Sequence, residues 1–162
     1  MRASKTERIL LLFAGLLLVL GASCRAPLVL IPGGALEGTT VEAPSDWSSI
    51  EDVHVIQLET NPEKPYSVNL WVVSVDQILY VHSGNSRTTW VENMEANPRV
   101  KLQAQGAIYE LVASRVESQD EFDRFIEAYA LKYETYPRNP VIDEVYLYRL
   151  MVPGTSISKR SL

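Results

Sequence analysis

The sequence predicts an α+β fold in which a curled, mainly antiparallel sheet carries two helices. Three observations lead to this class: short β-branched segments recur through residues 53–152, turn residues separate neighbouring segments closely, and one long amphipathic helix interrupts them. We expect about six strands, one short helix and one long capped helix. Because consecutive strands run antiparallel and helices lie at the connections, we expect an α+β barrel or a strongly curled sheet.

The first three predicted strands form one group. The segment VHVIQLET, residues 53–60, is rich in β-branched side chains and ends at Asn61-Pro62. The run VNLWVVSV, residues 68–75, is almost wholly apolar, as in a strand that is buried on both faces. Asp76-Gln77 separates it from ILYVHS, residues 78–83, which predicts a hairpin.

The remaining strands follow a loop and a short helix that stops at Asn97-Pro98. In VKLQAQ, residues 100–105, apolar and polar side chains alternate, and a turn at Gly106 leads to the partner strand AIYELVASRV, residues 107–116. EVYLYRLMV, residues 144–152, is the last predicted strand.

The long helix between these strands has clear start signals. Ser118 and Glu121 stand at the spacing of a capping box. Apolar side chains then recur at helical spacing from Phe122 to Tyr133, and Lys132 lies near the negative end of the helix dipole. We interpret the aromatic stripe of this helix as a core face and not as a cofactor site.

The N-terminus predicts an export signal with a lipid anchor. Basic residues precede the apolar run of residues 9–20, which is short for a membrane span and typical of a signal peptide; an uncleaved anchor is the alternative. Cys24 follows it and is the only cysteine. LGASC resembles the lipobox of bacterial lipoproteins, in which the cysteine is acylated, whereas simple cleavage near Ala22 or Ala26 would leave Cys24 as a free thiol or remove it.

These signals divide the chain into four parts. We assign residues 1–23 to the signal peptide, 24–49 to a tether rich in Pro, Gly, Ser and Thr, 50–153 to the folded domain and 154–162 to a C-terminal tail. We expect an exported protein of the cell envelope, either anchored to the membrane as a lipoprotein or free in the periplasm.

The charge of the exported part argues against nucleic acid as a partner. Residues 24–162 contain 12 Lys and Arg against 19 Asp and Glu, a formal charge of −7. An acidic surface repels phosphate backbones, and the basic residues do not cluster. The charges are scattered, as on a solvated surface.

The loop around residues 83–98 and the strands near it resemble the FMN-binding split β-barrel of pyridoxamine-phosphate oxidase-like proteins. The sequence is most similar to the deazaflavin-dependent nitroreductase branch. Three motifs carry the resemblance. The first is Ser83-Gly84-Asn85 followed by Trp90, Asn93, Met94, Ala96, Asn97 and Pro98, and the second is Gly106, Tyr109, Ala113 and Val116. The third is Leu79-Tyr80-Val81-His82 followed by Ser86-Arg87-Thr88. The resemblance implies a split-barrel homodimer with a flavin or deazaflavin groove between its subunits. In the oxidase pattern a Lys stands where this chain has Thr88.

The resemblance and the strand pattern together suggest cofactor-binding residues, which are Asn69, Trp71, Tyr80, His82, Ser83, Ser86, Arg87, Thr88 and Trp90. For three of them an alternative stays open. Arg87 is either a phosphate clamp or a surface or dimer-interface charge, and Trp90 either fills the core or touches the cofactor ring. His82 either contacts a flavin or haem or is an ordinary strand histidine whose neighbours satisfy it. The sequence indicates no catalytic residue and no metal motif.

Two functions therefore remain open. One is an envelope-anchored oxidoreductase that uses FMN or a deazaflavin, in which the cofactor carries the hydride chemistry. The other is a cofactor-free lipoprotein that binds a small ligand or a partner without catalysis. The signal lacks the adjacent arginines of the twin-Arg route, so the domain would cross the membrane unfolded and would have to find a cofactor outside.

Overall fold

The computed structural model describes residues 32–155 and confirms the predicted α+β split-barrel class. Its strands are β1 (Thr39–Val41), β2 (Val55–Thr60), β3 (Tyr66–Trp71), β4 (Val73–Val75), β5 (Ile78–His82), β6 (Arg99–Ala104), β7 (Ala107–Arg115) and β8 (Leu147–Met151). Its helices are α1 (Thr89–Ala96) and α2 (Gln119–Tyr133), with short 3-10 helices at Ser48–Ile50 and Ile142–Glu144. Within residues 32–155, no helix is both long and apolar enough to cross a bilayer.

The eight strands outnumber the expected six partly because the predicted strand 68–75 is two strands. The sheet order is β3-β2-β6-β7-β8-β5-β4, so its two edges are consecutive in the chain and meet at Val72. On one side of Val72 the chain pairs with β2, and on the other side with β5. Residues 66–75 thus form both edge strands and close the sheet into a barrel. This closure requires a bend at Val72, which the apolar sequence of residues 68–75 does not predict.

Both predicted hairpin turns are present. Asp76 and Gln77 have φ of 50° and 65°, and Gln105 and Gly106 have φ of 50° and 82°. Positive φ at two central residues is the type I′ geometry, whose twist matches that of the flanking strands. These two turns set the pairing of β4 with β5 and of β6 with β7.

Part of the predicted tether packs on the barrel. The short strand β1 runs parallel to β7, which accounts for the other additional strand. Trp47 and Ile50 are buried in the barrel core, and the Trp47 amide donates to Gln77 Oε1 at 3.0 Å. The signal peptide, Cys24 and residues 25–31 and 156–162 lie outside the described residues.

The molecule has two apolar cores, one on each side of the barrel wall. The interior core includes Leu58, Val81 and Leu102, each with no exposed area. The second lies between the outer face of the wall and α2, where Phe122 and Phe125 are buried. The last strand begins later than predicted because the 3-10 helix Ile142–Glu144 turns the chain and packs Ile142 into this second core.

The predicted cap of α2 forms, but only half of the capping box does. Ser118 Oγ accepts a hydrogen bond from the Glu121 amide at 3.4 Å. The Glu121 carboxylate is buried and accepts from the Tyr80 hydroxyl at 2.9 Å, and Arg149 Nη1 lies 3.5 Å from it. The buried Tyr80 hydroxyl and the partly buried Arg149 guanidinium thus hold the carboxylate that the sequence pattern assigns to the helix end.

Candidate functional site

The predicted site residues fall in three places. Asn69, Trp71 and His82 line a groove between the barrel wall and α2. Ser83, Ser86, Arg87 and Thr88 lie in the loop from β5 to α1. Tyr80 and Trp90 are buried. The structure therefore separates residues that the family pattern places around one ligand.

The groove has a narrow inner part and a wide outer part. The inner part, about 250 Å³, lies between the end of β3 and α2, and Asn69 and Phe125 contribute to its walls. The outer part, about 770 Å³, opens between Gly84-Asn85 and the segment of residues 135–140 that follows α2. Trp71, His82 and Tyr129 line both parts, so the two form one groove.

The floor of the groove is aromatic. Trp71 is 49% exposed, whereas Trp47 and Trp90 are almost fully buried. The Tyr133 ring stacks on Trp71 with centroids 4.5 Å apart and planes 12° apart, and the Tyr129 ring lies 5.8 Å from it. An exposed indole that neighbouring rings hold in place offers a flat surface on which another planar ring can stack.

His82 places an unsatisfied nitrogen beside this floor. Its Nε2 is buried and has no hydrogen-bond partner among the described residues. Burial lowers the pKa of His82 to about 4, and the rings of Phe125 and Tyr129 lie 5.6 and 6.4 Å away. The imidazole is therefore neutral at pH 7, with one nitrogen left to donate or accept a hydrogen bond. The interpretation of His82 as a strand histidine satisfied by its neighbours does not hold at this atom.

The loop from β5 to α1 satisfies its own polar groups. Ser83 Oγ donates to the Ser86 carbonyl at 2.9 Å and lies 3.3 Å from Thr88 Oγ1. The Ser83 amide donates to the Tyr146 carbonyl, and the Tyr146 amide donates to the Gly84 carbonyl, both at 2.9 Å. Gly84 has φ of 52°, which a glycine adopts without strain. Two of the hydroxyls expected at the cofactor site, those of Ser83 and Thr88, thus bond within the loop.

Arg87 is also occupied. Its Nη2 and Nε lie 2.6 and 2.9 Å from Glu95 Oε2, and its Nη1 lies 3.3 Å from Glu92 Oε1. The hydrogen bond with Glu95 raises the pKa of Arg87. Two carboxylates beside one guanidinium leave a local formal charge of −1, which does not attract a dianion. The phosphate-clamp role of Arg87 stays a prediction.

Tyr80 and Trp90 stabilise the walls of the barrel. Burial and the Glu121 carboxylate raise the pKa of Tyr80 well above its usual range. Trp90 is 5% exposed, and its ring meets Tyr148 edge-on at 6.4 Å. Beside it, Asn93 Nδ2 donates to Thr60 Oγ1 at 3.0 Å and ties α1 to β2. These contacts agree with the interpretation of Trp90 and Asn93 as residues that fix the loop to the barrel.

Sequence reasoning missed two residues that line the groove, Tyr129 and Arg138, and a third, Tyr133, that stacks on the Trp71 floor. The helical spacing predicts Tyr129 and Tyr133 as core residues, because it does not show where a stripe of apolar residues extends past the sheet that it covers. Arg138 lies on the groove wall, is exposed and has no ion pair within residues 32–155. The only local signal for it is its position between two prolines in residues 137–140. No group of three or more metal-binding side chains comes together in the described part of the chain.

The fold matches solved structures of low sequence identity. A Listeria innocua structure described as a "Putative Pyridoxamine 5'-phosphate oxidase" is 18% identical, with a TM-score of 0.50 over 65% of this chain and 88% of that chain. A Bacteroides thetaiotaomicron structure described as a "putative 5-nitroimidazole antibiotic resistance protein" is 16% identical, with a TM-score of 0.51 over 68% and 81% of the two chains. These likenesses show a shared split-barrel fold.

The family itself is shown by sequence. The model of a family described as "Uncharacterized protein conserved in bacteria (DUF2255)" matches residues 45–146, which include the groove and the loop. A comparison with curated proteins found no significant match. The chain therefore belongs to the DUF2255 family of bacterial proteins and has the fold of pyridoxamine-phosphate oxidase-like split barrels.

Proposed function

We propose that this protein binds a planar, conjugated ligand of the flavin or deazaflavin type in the groove and serves as an oxidoreductase of the cell envelope. One observation carries the proposal: the half-exposed Trp71 and His82, whose buried Nε2 has no hydrogen-bond partner among residues 32–155, line the same cavity. The shared split-barrel fold adds support, since the family that the sequence resembles binds flavins.

The groove suits the ring part of such a ligand. Trp71 would stack on the ring, and His82 Nε2 would form a hydrogen bond with a polar ring edge, which would satisfy a buried atom that otherwise costs about 1–3 kcal/mol. The side chains of Phe125 and Tyr129 would exclude water from that hydrogen bond. When bound, a flavin would supply the hydride chemistry, and the protein would supply orientation.

The phosphate of FMN fits a different residue from the one that the sequence motif suggests. Arg87 is paired with two glutamates, whereas Arg138 faces the outer groove without an ion pair in residues 32–155. Glu144 also lines this wall, where its carboxylate accepts a hydrogen bond from Asn139 at 2.7 Å and forms no ion pair with Arg138. Arg138 is thus the residue that would pair with a ligand phosphate.

The internally bonded loop favours a second candidate function. The Ser83 hydroxyl and the Arg87 guanidinium already bond to other groups of the protein, so a cofactor phosphate would find few free hydrogen-bond donors in the loop. The groove could then hold a small planar ligand that has no phosphate, and the protein would bind it without catalysis. The two functions predict different affinities for riboflavin and FMN.

A titration of the full chain in detergent tests the proposal. Riboflavin and FMN should each lose fluorescence on binding and should shield Trp71 from acrylamide, since the other two tryptophans are buried. Trp71→Ala should weaken binding about three- to tenfold, the value of an aromatic pair. Leu131→Ala, an 85% exposed apolar position of α2, is the matched control. Absence of binding at high micromolar flavin would eliminate the oxidoreductase function.

We also propose that a lipid on Cys24 holds the protein at the membrane. The lipobox-like LGASC sequence supports this anchor. Cys24→Ser should move the protein out of the membrane fraction and abolish labelling with fatty acid, because the acyl chains dominate membrane affinity. Unchanged partitioning of the variant would refute the anchor.

A homodimer completes the proposal. Val55 and Trp71 are cross-strand partners at the barrel edge, and each is 49% exposed. A two-fold partner that packs on Val55 would lie beside the groove and leave the face of Trp71 open to the ligand. Sedimentation of the chain at micromolar concentration should show a dimer, and a monomer would count against a groove shared between subunits.

A further inference from the structure

The barrel has a seam at Val72, where the chain leaves β2 and turns to β5. In the β2–β3 ladder Val55 is paired with Trp71, so His54 and Val72 would be the next pair in that register. The ladder does not continue there. The hydroxyl of Tyr133, the last residue of α2, lies between these two residues.

The Tyr133 hydroxyl satisfies the backbone groups that the broken ladder leaves open. The Val72 amide donates to Tyr133 Oη at 3.0 Å. The Oη atom is in turn 2.7 Å from the His54 carbonyl oxygen and 2.8 Å from the Val72 carbonyl oxygen, and it donates its single proton to them. The Tyr133 side chain thus replaces the backbone hydrogen bonds that a His54–Val72 pair would form in the sheet. Burial raises the pKa of Tyr133 to about 12, so the phenol keeps that proton.

The same side chain also contacts the groove. The Tyr133 ring stacks on Trp71, whose backbone is the residue next to the seam. Glu134 follows with φ of 54° and ends α2, and residues 135–140 then form the outer wall of the groove. Tyr133 is therefore in contact with the floor and directly precedes the wall.

We infer that Tyr133 is a positioning residue, whose hydroxyl at the Val72 seam holds Trp71 and the wall of residues 135–140 in the arrangement that receives the ligand. Its effect on ligand affinity rests on the proposed function. Its effect on the seam and on Trp71 does not, because both can be measured without a ligand.

Tyr133→Phe in the full chain separates the hydroxyl from the ring. The variant keeps the stack on Trp71 and removes the bonds to Val72 and His54. We expect the Val72 amide to exchange its hydrogen at least about fivefold faster by NMR, while the Leu102 amide inside the barrel changes much less. Acrylamide quenching of Trp71 should rise. Tyr109→Phe, whose ring packs on Trp47 away from the groove, should change neither measurement.

The outcomes distinguish this inference from the proposed function. Faster exchange at Val72 together with greater quenching of Trp71 supports the seam role, even if wild-type protein binds no flavin. Equal acceleration at Val72 and Leu102 would show a loss of global stability only and would overturn it. Unchanged quenching of Trp71 would also overturn it. If the wild type binds FMN, Tyr133→Phe should bind about three- to tenfold more weakly, and an unchanged affinity would contradict the positioning role.

Discussion

The loop of residues 83–88 and the groove beside it both lie at the end of β5, but the polar groups of the loop are bonded within the described part of the protein and two polar groups of the groove are not. In the loop, Ser83 bonds to its neighbours and Arg87 is paired with Glu92 and Glu95. In the groove, His82 Nε2 has no partner and Arg138 has no ion pair within residues 32–155.

This difference shows where binding capacity lies. Polar groups that already bond within the protein must break those bonds before they can bind a ligand, whereas an unsatisfied buried atom gains from any suitable partner. A family motif therefore marks the position of a loop in the fold. Whether that loop binds an anion depends on the residues of α1 that pack against it.

Replacing the two aromatic residues next to these regions should separate stability from binding most strongly. Trp90→Ala should lower the free energy of unfolding by about 3–5 kcal/mol, because it empties a buried site behind the loop. Trp71→Ala should cost far less stability, since half of that side chain is already exposed. Urea unfolding of both variants measures the difference. Equal losses of unfolding free energy would mean that Trp71 contributes as much to the packing of the core as Trp90.

Removing the two arginines compares the loop with the groove directly. Arg138→Ala should weaken FMN binding by about 1.5–3 kcal/mol, roughly ten- to a hundredfold, if its guanidinium bonds the phosphate. Riboflavin binding should stay the same, because riboflavin has no phosphate. Arg87→Ala is the matched control, and we expect it to change neither affinity. If Arg87→Ala weakens FMN alone, the loop is the anion site after all and the comparison is reversed.

Acidification should lower the stability of the protein through the protonation of His82. The pKa of its imidazole is about 4 in the folded protein and about 6.5 when unfolded, so below pH 6.5 the unfolded chain binds the additional proton. Stability is therefore lost as the pH falls from 6.5 towards 4, by about 2 kcal/mol between pH 7 and pH 5. Urea unfolding at both pH values of wild type and His82→Phe measures this loss. A His82→Phe variant with the same pH dependence would place the titration elsewhere.

Much of the fold could be predicted because its signals are local. Gly106 favours the positive φ of its turn, Asp76 tolerates it in the other turn, and Ser118 specifies the start of α2 through a bond to an amide three residues away. The bend at Val72 could not be predicted. It arises because one apolar run pairs with two different neighbours, and the sequence of that run is compatible with one straight strand.

The candidate site was predictable only in part, and for a related reason. Trp71 and His82 could be placed near a groove because alternation along β3 and the family motif at the end of β5 locate them. Tyr133 and Arg138 could not, because the end of α2 and the segment after it reach this place only in the folded chain, where Tyr133 stacks on Trp71 and Arg138 lines the outer groove.

By itself, the sequence determined the α+β class, the order of most strands, the capped helix and the identity of the loop. Each of these depends on contacts within a few residues or on a periodic pattern. Only the tertiary structure decided that Glu95 neutralises Arg87, that His82 Nε2 has no partner in the described chain, and that Tyr133 bonds to the seam. Arg87 and Glu95 are eight residues apart and meet across the turn into α1, whereas Tyr133 and Val72 are brought together across 61 residues. In each case a side chain's pairing is complete only when every neighbouring element is in place.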